Sequence, residues 1–191
     1  MPSFRLPDAD GKWFSSDQFR DAAAMLVIFI CPHCPFTRHM RAELARFARE
    51  YREKGLQVIA INANDRIAFP DDSPEGMKRE AEDMGYTFPY LVDETQDAAK
   101  SFRAACTPDL FLFDRNRKLV YRGQFDDSRP NSNIPVTGAD IRAAADPVLS
   151  GRLPSTNQKP SIGCNIKWKA GNEPDYFTSA VLAPSAPASG A

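Results

Sequence analysis

One stretch of the chain decides the fold: Phe29-Ile-Cys31-Pro-His33-Cys34-Pro-Phe-Thr-Arg38. Residues 25–30 form a continuous apolar run, which is typical of a strand buried on both faces of a parallel sheet. After the cysteines, apolar residues recur from Phe36 to Tyr51 at spacings of four, four, three and four, which predicts an α-helix over residues 35–54. Both cysteines therefore lie where a buried strand meets the N-terminus of a helix.

The pattern on either side predicts an α/β domain built around this strand and helix. Gly55 ends the helix and residues 56–61 form a second buried strand, so the three elements make a right-handed βαβ unit. Further elements are predicted in this order: an extended pair at residues 4–6 and 13–14, a helix between Ser73-Pro74 and Gly85, a strand at 89–92, a helix capped by Thr95, a hairpin of 110–113 with 119–121, and a last helix opened by a capping box at Thr137-Gly-Ala-Asp140.

Composition divides the chain into three regions. Residues 1–151 carry the periodic pattern and match one compact domain in size. Residues 152–182 lose the period but keep aromatic and apolar side chains, so we expect an extension that packs on the domain. Residues 183–191 contain mainly Ala, Pro and Ser and are predicted to be disordered.

Charge and hydropathy exclude several classes of protein. The formal net charge is −1, which argues against a general nucleic-acid binder or a binder of anionic membranes. The longest apolar run, residues 22–30, is too short to span a bilayer, which takes about 20 residues. The first ten residues lack a basic start followed by an apolar stretch, so we expect a cytoplasmic protein.

The cysteines indicate redox chemistry or metal binding. Four cysteines in 191 residues are too few for a disulfide scaffold, and only Cys31 and Cys34 are close in sequence. The free N–H groups and the dipole at a helix N-terminus stabilise an anion, so a cysteine placed there becomes a thiolate more readily than a free one. Pro35 directly after Cys34 suits the first helical position, where its missing N–H costs least.

Three segments in order resemble the thioredoxin-fold redoxin superfamily, including its peroxiredoxin-like members of the AhpC/TSA type. They are residues 4–12, the strand–CxxC–helix core, and Thr107-Pro108-Asp-Leu-Phe-Leu-Phe-Asp114. The resemblance covers about residues 4–151 and implies a thioredoxin-like fold: a central mixed sheet flanked by helices, here with an N-terminal extended pair and a C-terminal extension. It also implies that the Thr107–Pro108 bond is cis and lies beside the reactive cysteines, with little cost because it precedes a proline.

The same resemblance assigns roles to the two cysteines. Redoxins carry an aromatic residue five positions before the attacking cysteine, and an Arg, a Leu and a Tyr four, ten and seventeen positions after it. Counted from Cys34, these positions hold Phe29, Arg38, Leu44 and Tyr51. Counted from Cys31, the same four positions do not hold these residue types. Cys34 is thus predicted to attack and Cys31 to resolve, with Pro108 shaping the contact surface and Thr107 and Pro35 supporting the site.

Peroxide reduction is a second candidate function, which the sequence disfavours. A Cys-Pro step also follows the attacking cysteine of peroxiredoxins. The threonine expected three residues before it is Cys31, however, and the expected later arginine is replaced by the Thr107-Pro108 step. These two residues supply donors that hold the peroxide, so we expect weak peroxidase activity.

The other candidate ligands and thiols leave alternatives open. Cys31, Cys34 and His39 could bind Cu(I) or Zn(II), a third candidate function behind dithiol exchange and one we do not expect to give a tight site. His33 either lowers the cysteine pKa values when charged or is a solvated loop residue, and His39 is expected at the surface. Cys106 should lie near the active face as a buried thiol, and Cys164 is either a packing residue or a resolving thiol.

Taken together, the residues favour a thiol–disulfide oxidoreductase. Its partner would be a protein or small molecule that carries a thiol or a disulfide, and the sequence does not identify the electron donor. No glycine-rich nucleotide loop is present, so no organic cofactor is expected.

Overall fold

The computed structural model describes residues 1–177. The predicted disordered tail, 183–191, and the end of the predicted extension, 178–182, lie outside the described residues. The strands and helices, in chain order, are β1 (Arg5–Pro7), β2 (Trp13–Ser15), β3 (Ala24–Phe29), α1 (Pro35–Glu53), β4 (Leu56–Asn62), α2 (Pro74–Met84), β5 (Tyr90–Val92), α3 (Asp97–Phe102), β6 (Cys106–Thr107), β7 (Asp109–Phe113), β8 (Leu119–Gly123), α4 (Ala139–Leu149) and β9 (Cys164–Asn165).

A mixed five-stranded sheet forms the centre, in the order β5-β4-β3-β7-β8. Strands β3, β4 and β5 are parallel, whereas β7 runs antiparallel to both β3 and β8. Every residue of β3 is buried, as expected for a central strand covered on both faces. The expected α/β fold with a central mixed sheet flanked by helices is confirmed.

Side chains of β3 alternate between two apolar clusters, one on each face of the sheet. Leu26 and Ile28 pack against α1, α2 and α4 on one face. Val27 and Phe29 pack on the other face against α3, the N-terminal segment and the buried Ile166 of the C-terminal region. This alternation follows from the pleat of a strand and places the carboxyl end of β3 between the two layers.

Helix α1 begins and ends at the residues that the sequence indicates. Pro35 occupies its first position, and the chain reverses after it at Gly55, which has φ +93. The buried residues of α1 recur at helical spacing along one face, from Met40 through Leu44 and Phe47 to Tyr51. The amphipathic pattern therefore anchors the helix on the sheet and fixes the position of its N-terminus.

The predicted capping box at Thr137–Asp140 is wrong, because a distant carboxylate takes its place. Gly138 is the N-cap of α4, and no side chain caps the helix from that position. Instead the buried Asp126 accepts hydrogen bonds from the backbone N–H groups of Thr137 and Gly138, both at 2.7 Å. A charged acceptor already occupies the position that a threonine hydroxyl would fill.

The start of α3 also differs from expectation. The helix begins at Asp97, and the hydroxyl of Thr95 accepts a hydrogen bond from the Asp97 N–H at 3.3 Å. The shorter contact, 2.8 Å, joins the Ala99 N–H to the buried carboxylate of Asp93. Asp93 is thus the stronger of the two acceptors at this helix end.

Residues 159–169 lie along the domain. Strand β9 pairs antiparallel with β6, and the Lys159 and Lys167 carbonyls accept hydrogen bonds from the Gln124 and Asp65 N–H groups. Among the described residues, no helix combines the length and the apolar character needed to cross a membrane.

Two leucine substitutions test whether β3 lies at the buried centre of the sheet. Leu26→Ala removes a side chain that is fully buried at the centre of the sheet, and we expect the free energy of unfolding to fall by about 2–5 kcal/mol. Leu153→Ala removes a leucine that is 75% exposed and should change it by less than about 0.5 kcal/mol. Urea unfolding of both variants measures the difference, and equal losses would contradict the central position of β3.

Candidate active site

Cys34 is the N-cap residue of α1. No side chain makes a capping hydrogen bond at this helix start, and the Cys34 carbonyl accepts the Arg38 N–H at 2.9 Å. The backbone of Thr37 in the first turn is one of the groups that lower the Cys34 pKa. A helix N-terminus carries N–H groups without intrahelical acceptors, so an anionic form of the Cys34 sulfur is favoured here.

Cys31 lies two residues beyond the end of β3 and is fully buried. Its sulfur lies 3.5 Å from the Thr107 hydroxyl and 3.7 Å from Nδ1 of His33. The Cys34 sulfur lies 3.1 Å from the carbonyl oxygen of the same threonine. The two cysteines predicted to act together are therefore both placed against Thr107.

The interaction between the two thiols shifts their pKa values in opposite directions. Cys31 donates to Cys34, and this bond, with further donors from Thr107 and from the backbones of Thr37 and Cys164, lowers the Cys34 pKa to about 4 despite burial. The same bond, burial and the negative charge of Asp72 raise the Cys31 pKa far above its ordinary value. These opposite shifts favour ionisation of Cys34 over ionisation of Cys31.

Thr107 contacts both cysteines from the opposite side. Its carbonyl oxygen is 3.1 Å from the Cys34 sulfur, a contact that only the protonated thiol can make as a donor. That contact opposes ionisation of Cys34, but several other groups around its sulfur lower the Cys34 pKa. The Thr107–Pro108 peptide bond is cis, and it lies directly against the dithiol.

Asp72 belongs to the site and was not predicted from the sequence. Its carboxylate is fully buried and accepts the His33 backbone N–H at 3.0 Å and the Asn64 side-chain amide at 2.8 Å. Its second contact with His33 joins Oδ2 to Nδ1 at 2.5 Å. The His33 ring also stacks on Phe69, so it is held in place and is not simply solvated.

Because Asp72 and Cys31 both approach Nδ1, the imidazole cannot relay a proton between them through two ring nitrogens. Asp72 is the nearer partner, at 2.5 Å against 3.7 Å. Its main electrostatic effect on the dithiol is therefore to disfavour a second negative charge on Cys31. The signal that could have found it is the pair Asn62 and Asn64 after β4, since both bond to Asp72.

Among the described residues, the three residues of the runner-up metal site, Cys31, Cys34 and His39, do not form a cluster of converging ligands. His39 is half-buried, and its Nε2 lies 2.6 Å from the Ser128 hydroxyl, so the ring is held by the loop before α4. Within residues 1–177 the three potential ligands that do converge, with ligand atoms within 4.8 Å of one another, are Cys31, His33 and Asp72. Both Asp72 oxygens already accept hydrogen bonds, so this cluster is satisfied as a polar network.

The two remaining thiols occupy different positions. Cys106 makes its hydrogen bond to the Pro108 carbonyl, and burial raises its pKa. Cys164 lies near Cys34: it pairs with Thr107 across the β6–β9 ladder, and the Thr107 carbonyl oxygen is 3.1 Å from the Cys34 sulfur. Burial and the interaction with Cys34 raise the Cys164 pKa to about 11.

Known proteins share this architecture. A hypothetical protein from Sinorhizobium meliloti 1021 is 54% identical, with a TM-score of 0.88 over 89% of this chain and 93% of that one. A thiol:disulfide interchange protein from Chlorobium tepidum TLS, 19% identical, superposes with a TM-score of 0.61 over 78% of this chain and 94% of its own, which supports the thioredoxin-like fold.

A curated relative, thiol-disulfide oxidoreductase ResA from Geobacillus thermodenitrificans, is 23% identical over 120 residues. That match covers 62% of this chain and 63% of the relative, less than two thirds of its length. Residues 1–122 match the model of the AhpC/TSA family. With more than half of its length matched by that model, the chain belongs to the AhpC/TSA family.

Proposed function

We propose that this protein is a thiol–disulfide oxidoreductase in which Cys34 attacks and Cys31 resolves. The observation that carries the proposal is that both sulfurs lie against Thr107 at the start of α1, Cys31 at 3.5 Å from its hydroxyl and Cys34 at 3.1 Å from its carbonyl oxygen. The pKa of Cys34 is lowered there and that of Cys31 is raised, which favours Cys34 as the attacking thiolate. The name of the ResA relatives agrees with this class of reaction.

The reaction has two exchanges. The Cys34 thiolate attacks a substrate disulfide, forms a mixed disulfide and expels one substrate thiolate. A thiolate on Cys31 then attacks the Cys34 sulfur, forms the Cys31–Cys34 disulfide and releases the second substrate thiol. Two electrons pass from the dithiol to the substrate, and an external thiol would return the protein to its reduced form.

Surrounding groups set the order of these exchanges. Donors at the helix N-terminus hold Cys34 ready to attack. The interaction with Cys34, burial and the negative charge of Asp72 together keep Cys31 protonated, and the first of these is lost when Cys34 enters the mixed disulfide. Thr107 and the cis Pro108 border both sulfurs and would shape the contact with a protein or small-molecule disulfide.

The arginines that could hold a peroxide are engaged elsewhere. Nε of Arg38 donates to the Pro32 carbonyl at 2.9 Å, and the Arg103 guanidinium lies over the Tyr176 ring. Disulfide exchange therefore accounts for the site better than peroxide reduction does.

Disulfide mapping tests the proposal. Mild oxidation should give a reversible Cys31–Cys34 disulfide, detected by mass spectrometry of peptides prepared without reductant. Cys34→Ser should lower disulfide-reductase turnover by at least about a hundredfold, since it removes the attacking thiolate, and Cys31→Ser should abolish the Cys31–Cys34 disulfide. A protein that keeps both thiols free under these conditions would contradict the dithiol mechanism.

Asp72→Asn tests the electrostatic role of the buried carboxylate. A negative charge raises the pKa of a neighbouring thiol, so its removal should move the ionisation of Cys31 to lower pH by about one pH unit. Peptide-resolved alkylation of Cys31 against pH, in a Cys34→Ser background, measures the midpoint. Asp71→Asn changes an exposed neighbour and is the matched control. A midpoint that rises or stays the same would show that Asp72 does not act through its charge.

Peroxidase activity should be weak. Without donors placed to stabilise the departing oxygen, hydrogen peroxide should oxidise Cys34 no faster than it oxidises a free thiolate. Stopped-flow mixing of the reduced protein with peroxide gives the rate, with N-acetylcysteine corrected for its ionised fraction as reference. A rate several orders of magnitude higher would identify a peroxidase with rebuilt donors.

A further inference from the structure

The C-terminal strap, residues 160–169, covers the dithiol. Its strand β9 pairs with β6 in a register that sets Cys164 opposite Thr107 and Asn165 opposite Cys106. Thr107 is the residue whose carbonyl touches the Cys34 sulfur. The strap therefore lies on the backbone edge immediately next to the reactive sulfur.

Gly163 permits this close approach. A Cβ atom at this position would lie 2.0 Å from the Thr107 carbonyl oxygen, far inside contact distance. Beyond Cys164 the strap is anchored by the buried Ile166 and by the Lys167 N–H, which donates to Asn64 at 2.9 Å. The position of Cys164 is thus defined on both sides by packing.

With the strap in place, Cys34 is 0% exposed. A substrate disulfide has to reach the Cys34 sulfur along its own S–S axis, so the strap has to move aside before attack. When the strap returns, it brings Cys164 back opposite Thr107, whose carbonyl oxygen is 3.1 Å from the Cys34 sulfur. Closure of the strap and displacement of the substrate can then be one event.

Cys164 also meets less opposition to ionisation than Cys31 once Cys34 is in a mixed disulfide. Burial and the negative charge of Asp72 still raise the Cys31 pKa, whereas for Cys164 burial raises the pKa and the positive charge of Lys167 lowers it. The thiolate is the form that attacks a disulfide, so these surroundings favour Cys164 as the attacking thiol.

We propose that Cys164 is a resolving thiol that releases the substrate from Cys34 before Cys31 acts. The inference deepens the proposed oxidoreductase function and rests on it. The Cys164 thiolate attacks the Cys34 sulfur of the mixed disulfide, forms Cys34–Cys164 and expels the substrate thiolate. The Cys31 thiolate then attacks Cys34, forms Cys31–Cys34 and returns Cys164 as a free thiol.

Oxidised glutathione is the probe in a single-turnover test. In Cys31→Ser, attack by Cys34 followed by closure through Cys164 should release about two molecules of reduced glutathione per protein and give a Cys34–Cys164 peptide. In Cys31→Ser/Cys164→Ser, release should stop at about one and glutathione should stay on Cys34. Cys31→Ser/Cys106→Ser is the matched control and should behave like the first variant.

The wild-type chain gives a second readout that needs no substitution. Acid-quenched samples should contain the Cys34–Cys164 peptide earlier than the Cys31–Cys34 peptide, and Cys164→Ser should slow release of the second glutathione at least about tenfold. If Cys31→Ser retains glutathione on Cys34 with Cys164 free, the relay is wrong and the dithiol mechanism stands. If Cys34 takes up no glutathione in any variant, the oxidoreductase proposal fails as well.

Discussion

A cysteine at the N-cap of a helix is the constraint on which the rest of the site depends. Helix α1 begins with Pro35, which has no N–H to satisfy, but the first turn still carries N–H groups without intrahelical acceptors. A negative charge on Cys34 is therefore stabilised at this position. The chemistry of the pair follows: Cys31 becomes a donor, its own proton is held more tightly, and the two thiols take different roles.

The fold maintains this arrangement by enclosing it. Strand β3 is buried on both faces and ends two residues before Cys31, so the loop between the cysteines starts from a rigid point. Thr107 and Pro108 close one side, Asp72 and His33 a second, and the strap with Cys164 a third. Burial opposes a charge on Cys34, so the thiolate depends on the donors around it.

The sequence predicts those parts of the structure that depend on local pattern. The spacing of apolar residues locates α1, and the apolar runs locate β3 and β4, because each signal reflects one face of one element. The resemblance to redoxins places Pro108 beside Cys34, a contact between distant segments that no local pattern contains. Asp72, the Asp126 cap of α4 and the position of Cys164 near Cys34 are likewise long-range. His39 was assigned to a possible metal site by sequence proximity, but the helix turns its ring towards Ser128.

The central claim is that Cys34, and not Cys31, is the thiolate at neutral pH. Thiolate absorbance at 240 nm, titrated against pH in the reduced wild-type chain and in the Cys31→Ser and Cys34→Ser variants, tests it directly. The account predicts a thiolate signal at pH 6 in wild type that disappears in Cys34→Ser. In Cys31→Ser the signal should remain, because the serine hydroxyl can still donate a hydrogen bond to Cys34. A signal at pH 6 that persists in Cys34→Ser and disappears in Cys31→Ser would contradict the account.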